Sequence, residues 1–571
     1  MHPLIAEEMR NVTESTTAHD LNDRARGWLR HLWRKAVTPD DWSKEGEPHR
    51  WWDRYSLEPM MSFPRFDLSE SSYAMLIMAR KTPAWREVYT RILDELVERY
   101  STHWAAIDWL TQIGPDPDRA RYPDRYRRLI PKDLWGEYDV PGWTANGIEP
   151  WGLQPDPIAS DGNLFFRGFF TLLLGIHRAV SGETTWERPF EMAGLDDRTF
   201  PWTHTKIATY LSDHWKQHPE GPHCENTKVW PFCLSAAALG LQMTDLVVGT
   251  DTHSIYDTWV EETFQERYLR FDSRGRLKSV ALYYDPLLER AHGQGALGGI
   301  GPALYMLPQN RPMAEELYRA GVASVGWDRR WMPVLGPTSE PRFFTIAMLL
   351  AREFGDHTTA RRLARKLGRF ENGRFFDASS EGETDEFGYF YGYGEPYPRG
   401  QESAIRILAE LLHDEGDWYR AFNESDADKF DAPTIEAVDY PRIGLSRAHN
   451  EDRTGVLEFE TYAASSDATG ASTSLRVTQL PDLAQVSVRR DGANYENWRR
   501  LENGSIEIQT EIRAHRFDVY TGYARDARAF DPAWATDRST PAVGSAPLRA
   551  SQLAPALISP GARQLGCPCC A

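Results

Sequence analysis

A mainly helical fold, an (α/α)6 toroid or barrel followed by a small antiparallel β module and a disordered tail, is predicted by two observations. Between residues 68 and 423, apolar runs of helical period recur in pairs, with no parallel-strand pattern between them. After about residue 430 the period changes to alternation of apolar and polar residues, with Asp491-Gly492 and Asn503-Gly504 as hairpin turns. The chain has 571 residues, 41% of them hydrophobic and 12% aromatic, which is enough for a large core around an aromatic cavity. Its 83 acidic against 65 basic side chains give a charge of −18, which disfavours nucleic acid as a partner.

The expected parts are an N-terminal arm at 1–60, a helical barrel at 61–428, a β module at 429–524 and a disordered tail at 525–571. In the arm, 21–36 has the spacing of one amphipathic helix. Six helical pairs follow: 68–80 with 83–110, 160–180 with 201–217, 227–248 with 252–269, 302–307 with 313–327, 340–354 with 357–370, and 399–413 with 417–423. Pro83 suits a first helical turn, and Ser160 or Asp161 suits a cap. A Pro-, Asp-, Gly- and Trp-rich loop spans 114–157, a length that marks lids and functional loops. A Tyr-rich strand is expected at 278–284, and β strands at 455–465, 473–479, 484–490, 505–511 and 516–520.

The longest apolar stretches, 164–176 and 234–241, fall short of the ~20 residues needed to cross a bilayer. Residues 1–8 lack the basic start and apolar run of a secretory signal. The expectation is a cytoplasmic protein without a membrane span. Three of the five Cys, Cys567, Cys569 and Cys570, crowd the last five positions, which is no disulfide framework, and no upstream His or Cys set completes a metal site with them.

The segment from His223 to Ser235 carries the most chemistry. Asn226 or Thr227 is expected to cap a helix whose first turn accepts Pro231. Cys224 then stands just outside the helix N-terminus, where the dipole favours a thiolate, and Cys233 lies inside the helix. Their nine-residue spacing fits neither a zinc pair nor a C-x-x-C redox motif. Acid, base or nucleophile remain as chemical roles, against the alternative that each thiol merely fills core.

This segment, with Glu225 directly after the first thiol, resembles the signature of the linalool dehydratase/isomerase family. Two further pieces fall in the same order: Asp156-Pro157-Ile158, then Asn163 and Arg167-Gly168 entering an apolar helix, and Leu282-Tyr283-Tyr284-Asp285-Pro286. The resemblance spans about residues 65–415 and implies an (α/α)6 barrel enzyme, without metal or organic cofactor, whose members can assemble as homo-oligomers. It implies removal of water from a tertiary allylic monoterpene alcohol, or migration of its hydroxyl, by acid/base chemistry. Catalytic roles would fall on Cys224, Cys233 and Asp53, with Glu225 alongside, and Tyr55 would be the nearby phenol. Two positions depart from the family: Phe169 stands where it carries a His after Gly, and its Tyr near the start of the fourth inner helix aligns close to Ile300.

Independently of the resemblance, losing water from such an alcohol needs a proton for the leaving hydroxyl, a base for a carbon-bound proton and a dry aromatic wall around a cation-like transition state. Phe165, Phe169, Trp230, Phe232, Tyr283 and Tyr284 are candidates for that wall, and the Gly-Tyr run 385–400, with Tyr391 and Tyr397, for a substrate-binding cover. A carbohydrate-active (α/α)6 hydrolase or lyase is the second reading, with Glu149, Asp156, Glu225, Asp385 and Glu395 as candidate carboxylates. A ligand-binding protein that has lost its acid is the third.

Overall fold

The computed structural model describes residues 20–53, 63–106, 155–329, 341–377, 385–451 and 453–523, apart from short breaks at 161, 195–196, 225–227, 287–288, 294, 393 and 413. Its helices, in chain order, are α1 Asp23–Val37, α2 Pro64–Lys81, α3 Glu87–Tyr100, α4 Leu164–Ser181, α5 His204–Gln217, α6 Pro231–Val248, α7 Ser254–Thr258, α8 Ile300–Met306, α9 Arg311–Ser324, α10 Pro341–Glu353, α11 His357–Leu367, α12 Gly400–Leu411 and α13 Asp417–Asn423. The expected pairs are recognisable as α2 with α3, α4 with α5, and so on to α12 with α13.

The even-numbered helices form a closed cycle: α2 packs on α4, α4 on α6, α6 on α8, α8 on α10, α10 on α12, and α12 back on α2. Small residues permit the tightest of these contacts. A Cβ on Gly168 of α4 would come within 2.6 Å of Ala237 of α6, and one on Gly240 of α6 within 2.8 Å of the α4 backbone. Helices α3, α5, α9 and α11 lie outside this ring against their even-numbered neighbours. Helices α4 and α6 are long and apolar enough to cross a membrane by length and composition, more than the apolar stretches alone suggest, and both are largely buried among the other helices.

Several boundaries shift for local reasons. Helix α2 starts at Pro64, four residues before the expected start, because Pro needs no N–H in a first turn. Pro83 is not a helix start; it lies in the turn before α3, where Ala84 N donates to Ala448 O and Ile435 N to Ala84 O. Helix α5 begins after Thr203, whose side chain accepts from Lys206 N, because 199–202 are taken by a hairpin of β1 Phe190–Ala193 and β2 Thr199–Trp202. Helix α7 widens into a π-helical stretch at Trp259–Tyr268. Asn163 precedes α4, in place of the expected Ser160; Asp161, the loop to residue 154, residues 1–19 and the tail beyond 523 with its three Cys lie outside the described residues.

The Tyr-rich piece is the centre of a three-stranded sheet, β3 Leu269–Phe271, β4 Leu277–Asp285 and β5 Arg290–Gly293. A second hairpin, β6 Asn372–Phe376 with β7 Glu386–Phe390, occupies the start of the expected Gly-Tyr loop and packs on α1. Beyond α13, nine strands among the described residues make two antiparallel sheets. One has the order β13 (Ala493–Asn494), β12 (Ser487–Arg490), β16 (His515–Tyr520), β10 (Val456–Ala463) and β9 (Ile443–Glu451). The other has the order β14 (Trp498–Arg500), β15 (Ile506–Glu511), β11 (Ser472–Thr478) and β8 (Thr434–Glu436). Phe459, Phe517 and Val519 of the first and Val477, Ile506 and Ile508 of the second are fully buried, as alternation along half-buried strands requires. Glu87 of α3 receives Ala437 N and Val438 N, which fastens the β-rich part to the ring.

Candidate active site

The two ends of the ring differ. At the C-terminal ends of the inner helices α13 acts as a plug: Trp418 is fully buried, its indole N–H donates to Leu304 O at 2.9 Å, and Asn423 donates to Pro308 O. The N-terminal ends gather at the other side, where Asp53 accepts from Gly400 N at 2.8 Å and Gln401 N at 3.0 Å at the start of α12. Gly400 is required there, because a Cβ would run into the Asp67 carboxylate. Asp67 is itself held by Lys35 Nζ at 2.8 Å, and burial pushes its carboxyl up.

At this mouth the three segments that carry the family resemblance meet. Leu164 N donates to His223 O at 3.2 Å, joining the start of α4 to the thiol segment. Val229 and Tyr284 exchange hydrogen bonds of 2.8 and 2.9 Å, joining that segment to β4. Arg167, fully buried, donates to Ile158 O and stands 2.6 Å from His214 Nδ1, and Asp156 accepts from Ile158 N and Trp202 Nε1. The resemblance thus covers one spatial unit.

Within it the helix starts later than the sequence suggests, which moves Cys224 away from its N-terminus and leaves Cys233 inside it, nearer the start than expected. Cys224 is not at the helix N-terminus: its N–H donates to Lys228 O, the chain then pairs with β4, and α6 begins only at Pro231. Cys233 instead occupies the first turn of α6. Both are free thiols and both are buried.

Aromatic rings form the wall beside them. Phe169 of α4 meets Phe66 of α2 at 4.9 Å, Phe232 of α6 at 6.0 Å and Tyr305 of α8 at 5.8 Å between centroids. Phe232 also meets Tyr305 edge-on at 5.1 Å, and Trp230 packs on Tyr283 at 5.4 Å. The Arg65 guanidinium lies between Phe63, Phe66 and Phe165 at 4.0 to 4.6 Å. Phe66, Trp230 and Phe232 are half-buried while Phe169 and Tyr305 are fully enclosed, so the wall deepens from rim to floor. Trp51 Nε1, Trp230 Nε1 and the Tyr391 hydroxyl are buried without a hydrogen-bond partner among the described residues.

Under the wall lies a charged cluster that sequence reasoning missed. Glu70 of α2 is fully buried; Arg342 NH1 of α10 donates to its Oε2 at 2.8 Å, NH2 contacts its Oε1, and the Tyr305 hydroxyl donates to Oε1 at 3.4 Å. The Tyr73 and Tyr305 hydroxyls are 3.5 Å apart, and Arg342 NH1 is 3.7 Å from Glu402 of α12. Burial pushes the Glu70 carboxyl up while Arg342 pulls it down; burial likewise pushes both phenols up. A signal existed: Glu70 interrupts the buried run of α2, where a lone carboxylate must find a partner. What sequence could not supply was the partner, 272 residues away.

The remaining sequence candidates are scattered. Tyr284 accepts from Arg267 at 3.3 Å on the face of β4 opposite Tyr283. Tyr391 is buried after β7 with its N–H on Glu395, and Tyr397 packs on Trp51 at 6.4 Å. Asp53 acts on the backbone of α12 as described. Tyr55, Glu149 and Glu225 lie outside the described residues. Asp156, Asp385 and Glu395 face Trp202, Ser466 and Tyr391 respectively, so these carboxylates do not converge. One set of ligand-type atoms among the described residues, on Asp94, His177 and Glu183, lies at the C-terminal end of α4, away from the mouth.

An aromatic-walled ring with thiols and buried ionisable groups gathered at one mouth has the makings of an enzyme site. The family model described as linalool dehydratase/isomerase matches residues 132–378, so this part of the chain is similar to that family. No curated protein matches the chain. Among solved structures, endoglucanase CelQ from Clostridium thermocellum, complexed with cellotriose, is 10% identical at a TM-score of 0.32, covering 90% of this chain and 94% of its own. A sugar epimerase from a ruminal bacterium is 10% identical at 0.31, covering 72% and 98%. A GH127 β-L-arabinofuranosidase from Geobacillus stearothermophilus T6 is 11% identical at 0.28, covering 91% and 78%. These scores are too low to bear on the site.

Proposed function

We propose that the chain is a cofactor-independent dehydratase/isomerase for a terpenoid or similar hydrophobic allylic alcohol, working at the N-terminal mouth of an (α/α)6 toroid. In this reading 61–428 is the catalytic unit and 429–524 a supporting module. The observation that carries it is the meeting of 156–168, 224–233 and 282–286 beside the aromatic wall. The substrate's hydrocarbon part lies against Phe66, Phe169, Phe232 and Trp230, and its hydroxyl toward the polar groups. A proton reaches the hydroxyl oxygen, the C–O bond breaks with its electron pair leaving as water, and a base takes a proton from the neighbouring carbon, whose C–H pair becomes the new double bond. Cys233, in the first turn of α6, suits the base. The aromatic faces stabilise positive charge developing on carbon.

Purified protein incubated with linalool, geraniol and longer prenyl alcohols in metal-free buffer is expected to yield water-loss or isomerised products by gas chromatography. Cys224→Ala and Cys233→Ala should abolish them. Release of reducing sugar from oligosaccharides, or saturable alcohol binding with no turnover, would replace this reading with the carbohydrate or binding-protein alternative.

A further inference from the structure

At the C-terminal end of α4, away from the mouth, three side chains converge that the dehydratase reading does not use. We propose that Asp94 of α3, His177 of α4 and Glu183 of the turn after α4 form a site for one divalent transition-metal ion, zinc(II) above all, which ties these three segments together. Such a site stands whether or not the mouth dehydrates an alcohol.

One donor atom from each residue lies within 4.8 Å of the other two. A zinc ion bound at about 2.0–2.2 Å needs donors roughly 3.4 Å apart in a tetrahedral set, so closing the site takes small side-chain rotations. Asp94, 27% exposed, and Glu183, exposed, can make them, whereas His177 is only 1% exposed. Trp186 packs edge-on against the His177 imidazole at 6.2 Å between centroids. The chain turns Glu183 back toward His177 through Gly182, whose φ of +74° is a left-handed conformation that glycine adopts without strain. Glu183 N donates to Ser181 Oγ at 3.0 Å and Thr185 Oγ1 to Glu183 Oε2 at 3.2 Å, which holds the carboxylate at the helix end.

The hydrogen bonds around His177 call for a cation. The Ser181 hydroxyl donates to His177 O at 2.8 Å, so toward Nδ1, at 3.5 Å, its oxygen is an acceptor. A proton on Nδ1 leaves the Nε2 lone pair facing Asp94 Oδ1 at 2.8 Å, and two lone pairs that close repel unless a positive charge joins them. An imidazole that gives its other N–H to an oxygen is the form in which histidine ligates zinc. Among the described residues no Lys or Arg pairs with the Asp94 or Glu183 carboxylate. Arg91 is matched by Glu95, Arg99 by Glu95 and Asp40, and Lys429 by Asp426 while it donates to Ala179 O. Arg178 reaches the Glu183 carbonyl. Burial, then Glu95 and Asp94, push the Glu98 carboxyl up one turn further along α3, as uncompensated negative charge nearby requires. The carbonyl end of the α4 dipole adds to that field. One imidazole with two carboxylates selects a transition metal over calcium or magnesium, which take oxygen donors.

Cobalt(II), a coloured stand-in for zinc, tests the site in the full chain. Titration of the metal-free wild type is expected to give the visible absorption of one cobalt ion held by nitrogen and oxygen, displaced by zinc, and zinc should raise the Tm by several degrees. Cobalt on any of the cysteines announces itself by the intense near-ultraviolet thiolate-to-cobalt band, which keeps the two kinds of site apart. Glu183→Gln, at an exposed position, should weaken the sulfur-free cobalt site at least about tenfold, and His177→Gln should abolish it. Circular dichroism confirms folding, and Glu183→Gln alone decides the matter if His177→Gln does not fold. No sulfur-free cobalt absorption in the wild type, or absorption indifferent to Glu183→Gln, overturns the proposal and leaves Asp94 and His177 as a plain hydrogen-bonded pair.

Discussion

Each end of the helical ring buries a glutamate, and the two are treated differently. At the plugged end Glu353 Oε1 accepts from Trp418 N at 2.9 Å, in the first turn of α13, and burial pushes its carboxyl up to about 7. At the other end Glu70 meets a guanidinium, a phenol and, across Arg342, a second carboxylate. A backbone N–H fixes one geometry and serves the fold. Groups that can themselves gain or lose protons, set beside an aromatic wall, suit chemistry. The partner, more than burial itself, separates the two roles.

The strongest way to break this contrast is to remove the plug. Trp418→Ala deletes a fully buried ring that packs on Tyr73 and Phe422 and is expected to cost about 4 kcal/mol in urea unfolding. A loss under about 1 kcal/mol would show that α13 is an appendage.

Arg342→Met comes next, at about 3 kcal/mol in alkaline solution, since it strands the Glu70 charge. Without its cation Glu70 has a folded-state pKa above its unfolded one, so the deficit should shrink as pH falls and the carboxyl protonates. A deficit independent of pH would mean that Glu70 is not what Arg342 serves.

Glu353→Gln sharpens the comparison by about 2 kcal/mol. The folded pKa, about 7, lies above the ordinary 4.5, so the wild type has this stability in full below about pH 4.5 and loses it as pH rises through 7. The variant should flatten that slope and be the more stable above neutrality. Parallel slopes for the two proteins would show that Glu353 does not titrate with folding. The smallest effect on stability, about 1 kcal/mol, is expected for Cys233→Ala, although the proposed turnover is lost. Thermal melts beside product analysis separate the two effects.

Much of this was legible in sequence. Apolar runs, period and turn signals located both members of each helical pair: an inner helix buried nearly all round, such as α6, shows as a continuous apolar run, and an outer one buried on a single face, such as α11, as a 3.6-residue repeat. The β1–β2 and β6–β7 hairpins escaped because their short strands carry few alternating positions; in β7 all five residues are buried, which erases the alternation. Cys224 was placed at a helix start since Asn226 and Thr227 are good caps, but the pairing of Val229 with Tyr284 holds the chain extended until Pro231. The aromatic wall was readable from composition. The Glu70 cluster was not, as its members come from α2, α8, α10 and α12, and only the closed ring brings them together.

That closure also orders how the molecule is made. The hydrogen bond from Gly400 to Asp53 spans 347 residues, so α2 waits for its second flank until α12 has left the ribosome. Through that interval the sides of α2 and α10 that α12 will cover stand exposed, a time when a nascent chain depends on chaperones. The last inner helix is the keystone, and truncation before it leaves an arch rather than a ring.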